Sequence, residues 1–435
     1  MPIANILGVI VFFAIAVGLS EARSKISYKN AGRTLALQFS IALLALAVPF
    51  GTKVLQSVTN AITHIIEFAG KGMEFVFGEL AHFGTMEKVL SPAVGHPGVG
   101  SILAFQVFPI IIFLACLFAI LFHLRIMDVV IKVIGGIVRF VTGASRLESM
   151  VAAASIFVGM VEAPLAILPY LKNMTRSQLF TVMSCGMASI AGTVLVVYMS
   201  LGIDGKLLII ASFMAAPGGL LMGKLLIPET GEPYDIADFK KANAGDESHR
   251  ATNLIEAATT GALTGLEIML NVIAVIIAFV AMIALVNGLL GWIGGWFGHD
   301  EFSLSTIFGY LFAPIAWLIG VPGGEVLKAG PYLGEKLVAN EFLAYLHFTN
   351  DIKDGMQFSL KTTVAITVAL CGFANFVGVG ILMAGLGAVI PERKKEISNL
   401  GMKSLLAGTL SNFMSASLVG IALWVATLFG LTPLG

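Results

Sequence analysis

Charged side chains are scarce in this sequence: Asp, Glu, Lys and Arg make up 12% of its 435 residues, against about 25% in an average soluble domain. The 26 basic and 26 acidic residues cancel to a net charge of zero, which gives no sign of a nucleic-acid-binding surface. The three cysteines, Cys116, Cys185 and Cys371, lie in apolar runs without metal-ligand spacing. We interpret them as small buried apolar residues.

Enzyme motifs are missing as well. The seven histidines form no HxxxH or HExxH arrangement, so a metal-dependent enzyme has no support. Neither a P-loop nor a G-x-S-x-G motif occurs, which argues against ATP-driven transport and against hydrolase chemistry. We therefore expect neither an enzymatic function nor a cofactor.

Apolar residues, by contrast, are abundant: 57% of the chain is hydrophobic. Several runs reach the ~20 residues that an α-helix needs to cross a bilayer core. About eight such spans are predicted, near residues 4–20, 34–51, 101–123, 178–201, 207–227, 258–296, 360–390 and 404–432. The composition therefore predicts an all-α polytopic membrane protein.

The basic residues set the expected orientation. No basic residue precedes the first apolar run, whereas Arg23, Lys25, Lys29 and Arg33 follow it, which is the reverse of a secretory signal. We therefore expect a retained first helix with its carboxyl end in the cytoplasm. Both termini then lie on the outer face of a bacterial inner membrane.

Two apolar segments are better explained as re-entrant hairpins than as spans. In residues 148–174, Gly159, Pro164 and Pro169 interrupt an apolar run between basic flanks, so this hairpin is expected to enter from the cytoplasm. Residues 325–353 have the same character between two outward-facing ends. The second hairpin should therefore enter from outside.

The two hairpins suggest an inverted repeat of the kind found in secondary transporters. We expect N-terminal scaffold helices in residues 1–100, with an external interfacial helix in 54–95. The first repeat is assigned to 101–227, a cytoplasmic loop to 228–257 and the second repeat to 258–435. Shorter interfacial helices are expected at 126–141 and 304–320.

Each hairpin carries one glutamate near its predicted tip, Glu162 or Glu341. An ionised carboxylate at the bilayer centre costs about 3 kcal/mol, so it should face a wet cavity, a partner or a ligand. For Glu162 the alternative is a helix-capping or helix-pairing role. For Glu341 the alternative is an ion pair with Lys336 or Lys353.

Two stretches with small and polar residues predict broken helices. "SIAGT" (residues 189–193) combines hydroxyls with a glycine, which frees backbone carbonyls for a small cation, although close helix packing is the alternative. In "CGFANFVGVG" the amide of Asn375 can donate and accept together, which suits vicinal hydroxyls, although it could instead bond a neighbouring helix. Phe373 could pack on a sugar or a base of the substrate, or it could pack only against neighbouring helices. We assign Glu267 and Asn271 a structural role.

These residues resemble those of the concentrative nucleoside transporters along nearly the whole chain. The family's first-hairpin motif corresponds to "ASIFVGMVEAPL" (residues 154–165). Further matches in the same order are "SIAGTVLVVYMSLG", "NEFLAY", "GFANF" and "AGTLSNFMSASLVG". The resemblance implies a homotrimer in which a mobile transport domain moves like an elevator against a fixed scaffold.

The resemblance also implies roles for individual residues. Met160, Val161, Glu162 and Val194 would line the nucleobase site. Glu341 and Asn375 would hold the ribose hydroxyls with Phe373 nearby, and Gly378 stands where a ribose-contacting serine is common. A sodium ion would be surrounded by Ser155, Val158, Ser189 and Ile190.

Three departures from the family pattern bear on specificity, one of which is the glycine at 378. Met160 and Val161 replace a glutamine and a serine or threonine, so base preference cannot be carried over. Ser155 replaces an asparagine at the implied cation site. Coupling to protons through Glu162 or Glu341 is therefore the competitor to sodium, because apolar surroundings favour the neutral form of a carboxylic acid.

The sequence thus predicts a Na+- or H+-coupled symporter that imports nucleosides by alternating access. The rival within this class is a symporter for another small polar solute, such as a nucleobase or a modified nucleoside. A channel is a further alternative, which saturable uptake driven by a cation gradient would exclude.

Overall fold

The structure, a computed structural model, describes residues 2–82, 102–235, 251–299 and 302–431, and these residues contain α-helices, short 3-10 turns and loops but no β-strand. The helices before residue 230 are α1 (Ile3–Gly18), α2 (Tyr28–Ala47), α3 (Pro49–Phe77), α4 (Leu103–Gln106), α5 (Ile110–His123), α6 (Ile126–Thr142), α7 (Arg146–Ala154), α8 (Glu162–Leu165), α9 (Leu168–Leu171), α10 (Arg176–Ala188), α11 (Gly192–Ser200) and α12 (Gly205–Leu226). The later helices are α13 (Leu254–Gly295), α14 (Leu304–Leu318), α15 (Val326–Val338), α16 (Glu341–Lys353), α17 (Leu360–Leu370), α18 (Phe376–Val389) and α19 (Lys394–Leu428).

Six helical segments of the described chain are long and apolar enough to cross a membrane. They correspond to the spans expected near residues 34–51, 101–123, 178–201, 207–227, 258–296 and 404–432. The other two expected spans coincide with shorter helices: α1 at 4–20, and α17 with α18 at 360–390. The all-α polytopic architecture is therefore confirmed.

Both hairpins form, but their second arms differ. The first hairpin consists of α7, an irregular tip and the two short helices α8 and α9. The second consists of α15 and α16, joined by a tight connection at residues 339–340. Capping residues mark where the arms begin: Ser145 forms a capping box with Glu148 at α7, and the Asn340 side chain accepts the Leu343 N–H at α16.

The helix that follows each hairpin is interrupted where small and polar residues were expected to break it. α10 ends at Ala188 and α11 begins at Gly192; α17 ends at Leu370 and α18 begins at Phe376. Each half therefore has the same order of elements: a helix, an interfacial-type helix, a hairpin, a broken helix and a final helix. At the two breaks, backbone carbonyls accept hydrogen bonds from side chains of neighbouring helices.

The last helix, α19, lies at the centre of the fold, and 78% of its most apolar window is buried. It packs against α1, α2, α10, α12, α17 and α18. Polar side chains tie it to its neighbours: Gln38 of α2 donates to Ser415 Oγ at 2.8 Å. In contrast, α13 packs mainly along α5 and leaves most of its length uncovered.

Some expected boundaries shift. The helix expected over residues 54–95 begins at Pro49 and ends at Phe77, and residues 83–95 lie outside the described part of the chain. Within the loop expected at 228–257, residues 236–250 also lie outside the described part, and α13 already begins at Leu254. The expected interfacial helices at 126–141 and 304–320 correspond to α6 and α14.

Candidate functional site

The tip glutamate of the second hairpin is buried and held by two hydrogen bonds. Glu341 is only 4% exposed. Its Oε1 accepts from the Tyr198 hydroxyl and its Oε2 from the Asn375 amide, both at 2.8 Å. Tyr198 is itself fixed by ring contacts with Phe342 and Tyr345. One carboxylate thus joins the second hairpin to both broken helices.

Asn375 has a second function at the start of α18. Its Oδ1 accepts the Gly378 N–H at 2.6 Å, which caps this helix. A Cβ at position 378 would lie 2.3 Å from the Phe373 carbonyl oxygen. Glycine is therefore required by the packing here, which explains why this chain has no serine at 378.

The tip glutamate of the first hairpin is exposed instead of buried. No hydrogen bond or ion pair joins Glu162 to another residue in the described ranges. Its Oε2 lies over the backbone of Gly159, where a Cβ would approach to 2.3 Å. Beside it, Met160 packs against Gly186 of α10, and Val161 packs against Gly385 of α18.

A cavity of about 440 Å³ lies between the two hairpin tips and the two helix breaks. Its lining contains all eight residues assigned to the substrate by resemblance, namely Met160, Val161, Glu162, Val194, Glu341, Phe373, Asn375 and Gly378. The lining is mostly apolar, with aromatic rings of Phe108, Phe118, Phe157 and Phe342. Its polar groups are few and convergent, as in a small-molecule site.

The four residues assigned to a cation lie near this cavity, and of them only Val158 lines it. Ser155 is fully buried and its hydroxyl donates to the Val151 carbonyl at 2.8 Å. Ser189 donates to the Gly186 carbonyl at 3.3 Å. No hydrogen bond from the described part of the chain reaches the carbonyl oxygens of Val158 and Ile190.

Sequence reasoning did not assign to the site several polar residues that line the cavity, among them Tyr198, Thr264, Asn271 and Asn340. Tyr198 could have been found, because the hydroxyl of a tyrosine in an apolar helix needs a partner. Asn271 and Glu267 were both assigned a structural role. Asn271 lines the cavity, however, and Glu267 does not. Both Thr264 and Asn271 belong to α13.

The alternative role of Glu341, a direct ion pair with Lys336, is wrong, because the two charged groups interact only at a longer distance. Lys336 Nζ bonds to the Ala369 carbonyl at 2.7 Å and to Asn412 Oδ1 at 2.8 Å. Its side chain is directed to the break between α17 and α18, because the buried amine finds neutral oxygens there. Lys353 likewise makes no ion pair with Glu341.

A membrane-embedded cavity between two hairpin tips and two broken helices is the arrangement of a secondary transporter. The comparisons with known proteins agree. The family model described as "Na+ dependent nucleoside transporter C-terminus" matches residues 207–420, and the corresponding N-terminus model matches 7–80. A model described as "Nucleoside recognition" matches residues 104–204.

Similar proteins align over almost the whole chain. The nucleoside permease NupC of Helicobacter pylori is 42% identical over 420 residues, which cover 96% of this chain and 97% of that protein. The transporter CNTnw in an inward-facing substrate-bound state has a TM-score of 0.91 at 42% identity, covering 99% of this chain and 100% of that one. A CNTnw variant in an outward-facing state has a TM-score of 0.92 at 43% identity, covering 97% and 99%.

The chain therefore belongs to the concentrative nucleoside transporter family. This is a family of nucleoside transporters and permeases, not of enzymes. The chain is a multi-pass membrane protein.

Proposed function

We propose that this protein is a cation-coupled symporter that imports nucleosides across the bacterial inner membrane by alternating access. The observation that carries the proposal is the pair formed by Glu341 and Asn375. Each carboxylate oxygen accepts one bond within the protein, and the Asn375 amide has donated one N–H. A second lone pair on each oxygen and a second N–H remain for a ligand. Vicinal ribose hydroxyls, which both donate and accept, match this set.

The opposite side of the cavity suits a nucleobase. Met160, Val161 and Val194 offer apolar surface, and the exposed Glu162 beside them is a charged acceptor that also lines the cavity. Such a surface binds the faces of a base and discriminates poorly between base edges. Residues 160 and 161 have no amide or hydroxyl that could hydrogen-bond to the edge of a base. This absence also favours a second candidate, a symporter for nucleobases or modified nucleosides.

The coupling cation is proposed to be Na+ or H+. For sodium, the hydroxyls of Ser155 and Ser189 keep lone pairs after donating to backbone carbonyls, and the carbonyls of Val158 and Ile190 add two neutral oxygens. Oxygen ligands of this kind suit a hard cation. For a proton, Glu162 or Glu341 would be the carrier. The shorter serine at 155 favours the proton, whereas the family description favours sodium.

The proposed release path runs alongside the packed pair α5 and α13. A second cavity of about 370 Å³ shares Ala115 and Thr264 with the first and extends to His123. His123 ends α5 on the face that we assign to the cytoplasm. The uncovered apolar surface of α13 supports a homotrimer, in which this helix belongs to the fixed scaffold and the hairpins belong to the mobile domain.

Binding to the purified protein tests the substrate class. A ribonucleoside, its 2′-deoxy and 3′-deoxy forms and the free base are compared by calorimetry. Because each lost hydroxyl removes a bond to a charged or amide partner, we expect each deoxy form to bind about tenfold or more weakly. Free bases that bind as tightly as their nucleosides would exclude the ribose assignment in favour of the nucleobase candidate.

Uptake into proteoliposomes tests the coupling ion. Sodium is replaced by choline at fixed pH, and the pH gradient is then collapsed at fixed sodium. Loss of concentrative uptake in the first arm identifies Na+, and loss in the second identifies H+. Uptake that is indifferent to both gradients contradicts symport.

A further inference from the structure

The two broken helices are joined directly at their breaks. The Phe373 N–H donates to the Ser189 carbonyl at 3.0 Å. Beside this bond, Asn412 of α19 donates from Nδ2 to the carbonyls of Ala188 and Cys371, at 2.7 and 2.9 Å. One amide group thus satisfies the last carbonyl of α10 and the first carbonyl beyond α17. The breaks are held at a fixed spacing.

Gly372 packs so closely against Asn412 that no larger residue fits at position 372. A Cβ at Gly372 would lie 2.4 Å from Asn412 Oδ1 and 2.6 Å from the Ala188 carbonyl oxygen. Contacts this short force a neighbouring atom to shift. The Ala188 carbonyl belongs to the backbone and cannot move easily, so the Asn412 side chain would have to move. Glycine at 372 therefore allows the amide to reach both helix ends.

A buried ammonium completes the cluster. Lys336 of α15 is 2% exposed, and its Nζ donates to the Ala369 carbonyl and to Asn412 Oδ1. No carboxylate in the described residues lies within 4 Å of it. Ala369 belongs to the last turn of α17, and helix carboxyl ends carry partial negative charge. The ammonium of Lys336 therefore contacts neutral oxygens at a helix end, the kind of group that holds a coupling cation in transporters, while Glu341 attracts it from a longer distance.

We propose that Lys336 is a built-in cation that, through Asn412, couples the candidate cation site to the candidate nucleoside site. The cluster lies between Ser189 and Ile190 on one side and Phe373 and Asn375 on the other. Because the cluster ties the two breaks together, a cation that orders the first break also orders the second in its ligand-holding geometry. This inference rests on the proposed function, and Lys336 acts as a positioning residue.

The competing interpretation is that the cluster only stabilises the fold. Burying an ammonium with no carboxylate in direct contact costs stability, so stability alone does not explain a lysine at this position. The two interpretations differ in one measurable quantity, the linkage factor: the ratio of nucleoside Kd without the coupling cation to nucleoside Kd with saturating cation. Stability alone does not alter this ratio.

The first test removes the charge. Lys336→Met keeps the length of the side chain, and the linkage factor is measured by calorimetry with sodium at zero and saturation and at two pH values. Coupling factors of about 5 to 150 are typical between linked sites; we expect the variant's factor to fall below about 2. Lys328→Met removes an exposed lysine from the same helix and should keep the wild-type factor.

The second test leaves Lys336 in place and covers the case in which Lys336→Met does not fold. Gly372→Ala should push Asn412 away from the Ala188 carbonyl and lower the linkage factor. Gly380→Ala is the matched control, because a Cβ at that position meets no heavy atom within 4 Å. Its factor should equal that of the wild type.

The outcomes separate the two proposals. Linkage that is unchanged in both Lys336→Met and Gly372→Ala overturns the coupling role. Wild-type protein that binds nucleoside with no dependence on sodium or pH also overturns it, while nucleoside recognition stands. Wild-type protein that binds no nucleoside overturns the proposed function itself.

Discussion

The two hairpins occupy equivalent places in the repeat, but the second has regular helical arms and the first does not. The arms of the second hairpin are two 13-residue helices, and its tip glutamate is buried between two hydrogen-bond donors. The first hairpin has a nine-residue arm followed by two four-residue helices, and its tip glutamate is exposed without a protein partner. Pro169 lacks the backbone donor that would continue α8 into α9, whereas Pro331 lies within α15 without ending that helix.

This difference indicates a division of labour between the hairpins. A group already held in its binding geometry loses little freedom when a ligand arrives, which favours affinity and selectivity. Glu341 is such a group, and the ribose that it is proposed to hold is common to all nucleosides. Glu162 must be ordered by the ligand, which suits the variable base. A preorganised sugar site and an adaptable base site would together accept several nucleosides.

Glu341→Gln should have the largest effect of the tip substitutions. The glutamine amide is neutral, so its bonds to Tyr198, Asn375 and the substrate are weaker. Its NH2 group also faces one of two groups that are themselves donors, so one of the existing bonds is lost. With bonds to charged groups worth about 1.5–3 kcal/mol each, we expect nucleoside affinity to fall by about 100-fold or more. Asn375→Ala should likewise abolish ribose-dependent binding. Calorimetry on purified protein measures both.

The control for this change is Glu335→Gln on the same hairpin. Glu335 pairs with His347 at 2.7 Å and does not line the candidate site. Its substitution should leave nucleoside binding unchanged. If Glu341→Gln and Asn375→Ala both take up nucleoside like the wild type, the ribose assignment is wrong.

Glu162→Gln should have a smaller effect, because no bond within the protein is lost. Only one charge-assisted bond to the base becomes a neutral one, a difference of about 1 kcal/mol or a loss of about fivefold to tenfold in affinity. The same titrations with several nucleosides measure it. A loss equal to that of Glu341→Gln would show that the first tip is as preorganised as the second, against the comparison drawn above.

The sequence could predict the elements whose signals are local. Interrupted apolar runs predicted the hairpins, and the small residues after Ala188 and Leu370 predicted the breaks. The tip glutamates could be singled out because an ionised carboxylate in an apolar run is costly unless it faces water, a partner or a ligand. The partners were not predictable, because they depend on which helices meet: Tyr198 and Glu341 are far apart in the chain, and Lys336 extends to Asn412 of α19. Because Lys336 and Glu341 are close together on the same predicted hairpin, the sequence suggested a direct ion pair between them, which the structure does not contain.

The smallest effect is expected at the first tip, where polarity can be restored without changing the side-chain volume much. Met160→Gln and Val161→Thr would return edge-reading groups to the base side of the cavity. We expect the ratio of affinities for purine and pyrimidine nucleosides to change by about threefold to tenfold, since one new hydrogen bond contributes about 0.5–1.5 kcal/mol. Binding of the ribose should be unaffected, because the second tip is untouched.

Leu165→Gln is the matched control for this last prediction. It adds the same amide to the same hairpin, at an exposed position that does not line the cavity. Its purine to pyrimidine ratio should equal the wild-type ratio. If Met160→Gln and Val161→Thr also leave the ratio unchanged while Glu162→Gln lowers affinity, the base contacts the Glu162 carboxylate and not the floor formed by residues 160 and 161. The first hairpin would then recognise the base through one flexible group, which strengthens the contrast with the fixed pair at the second tip.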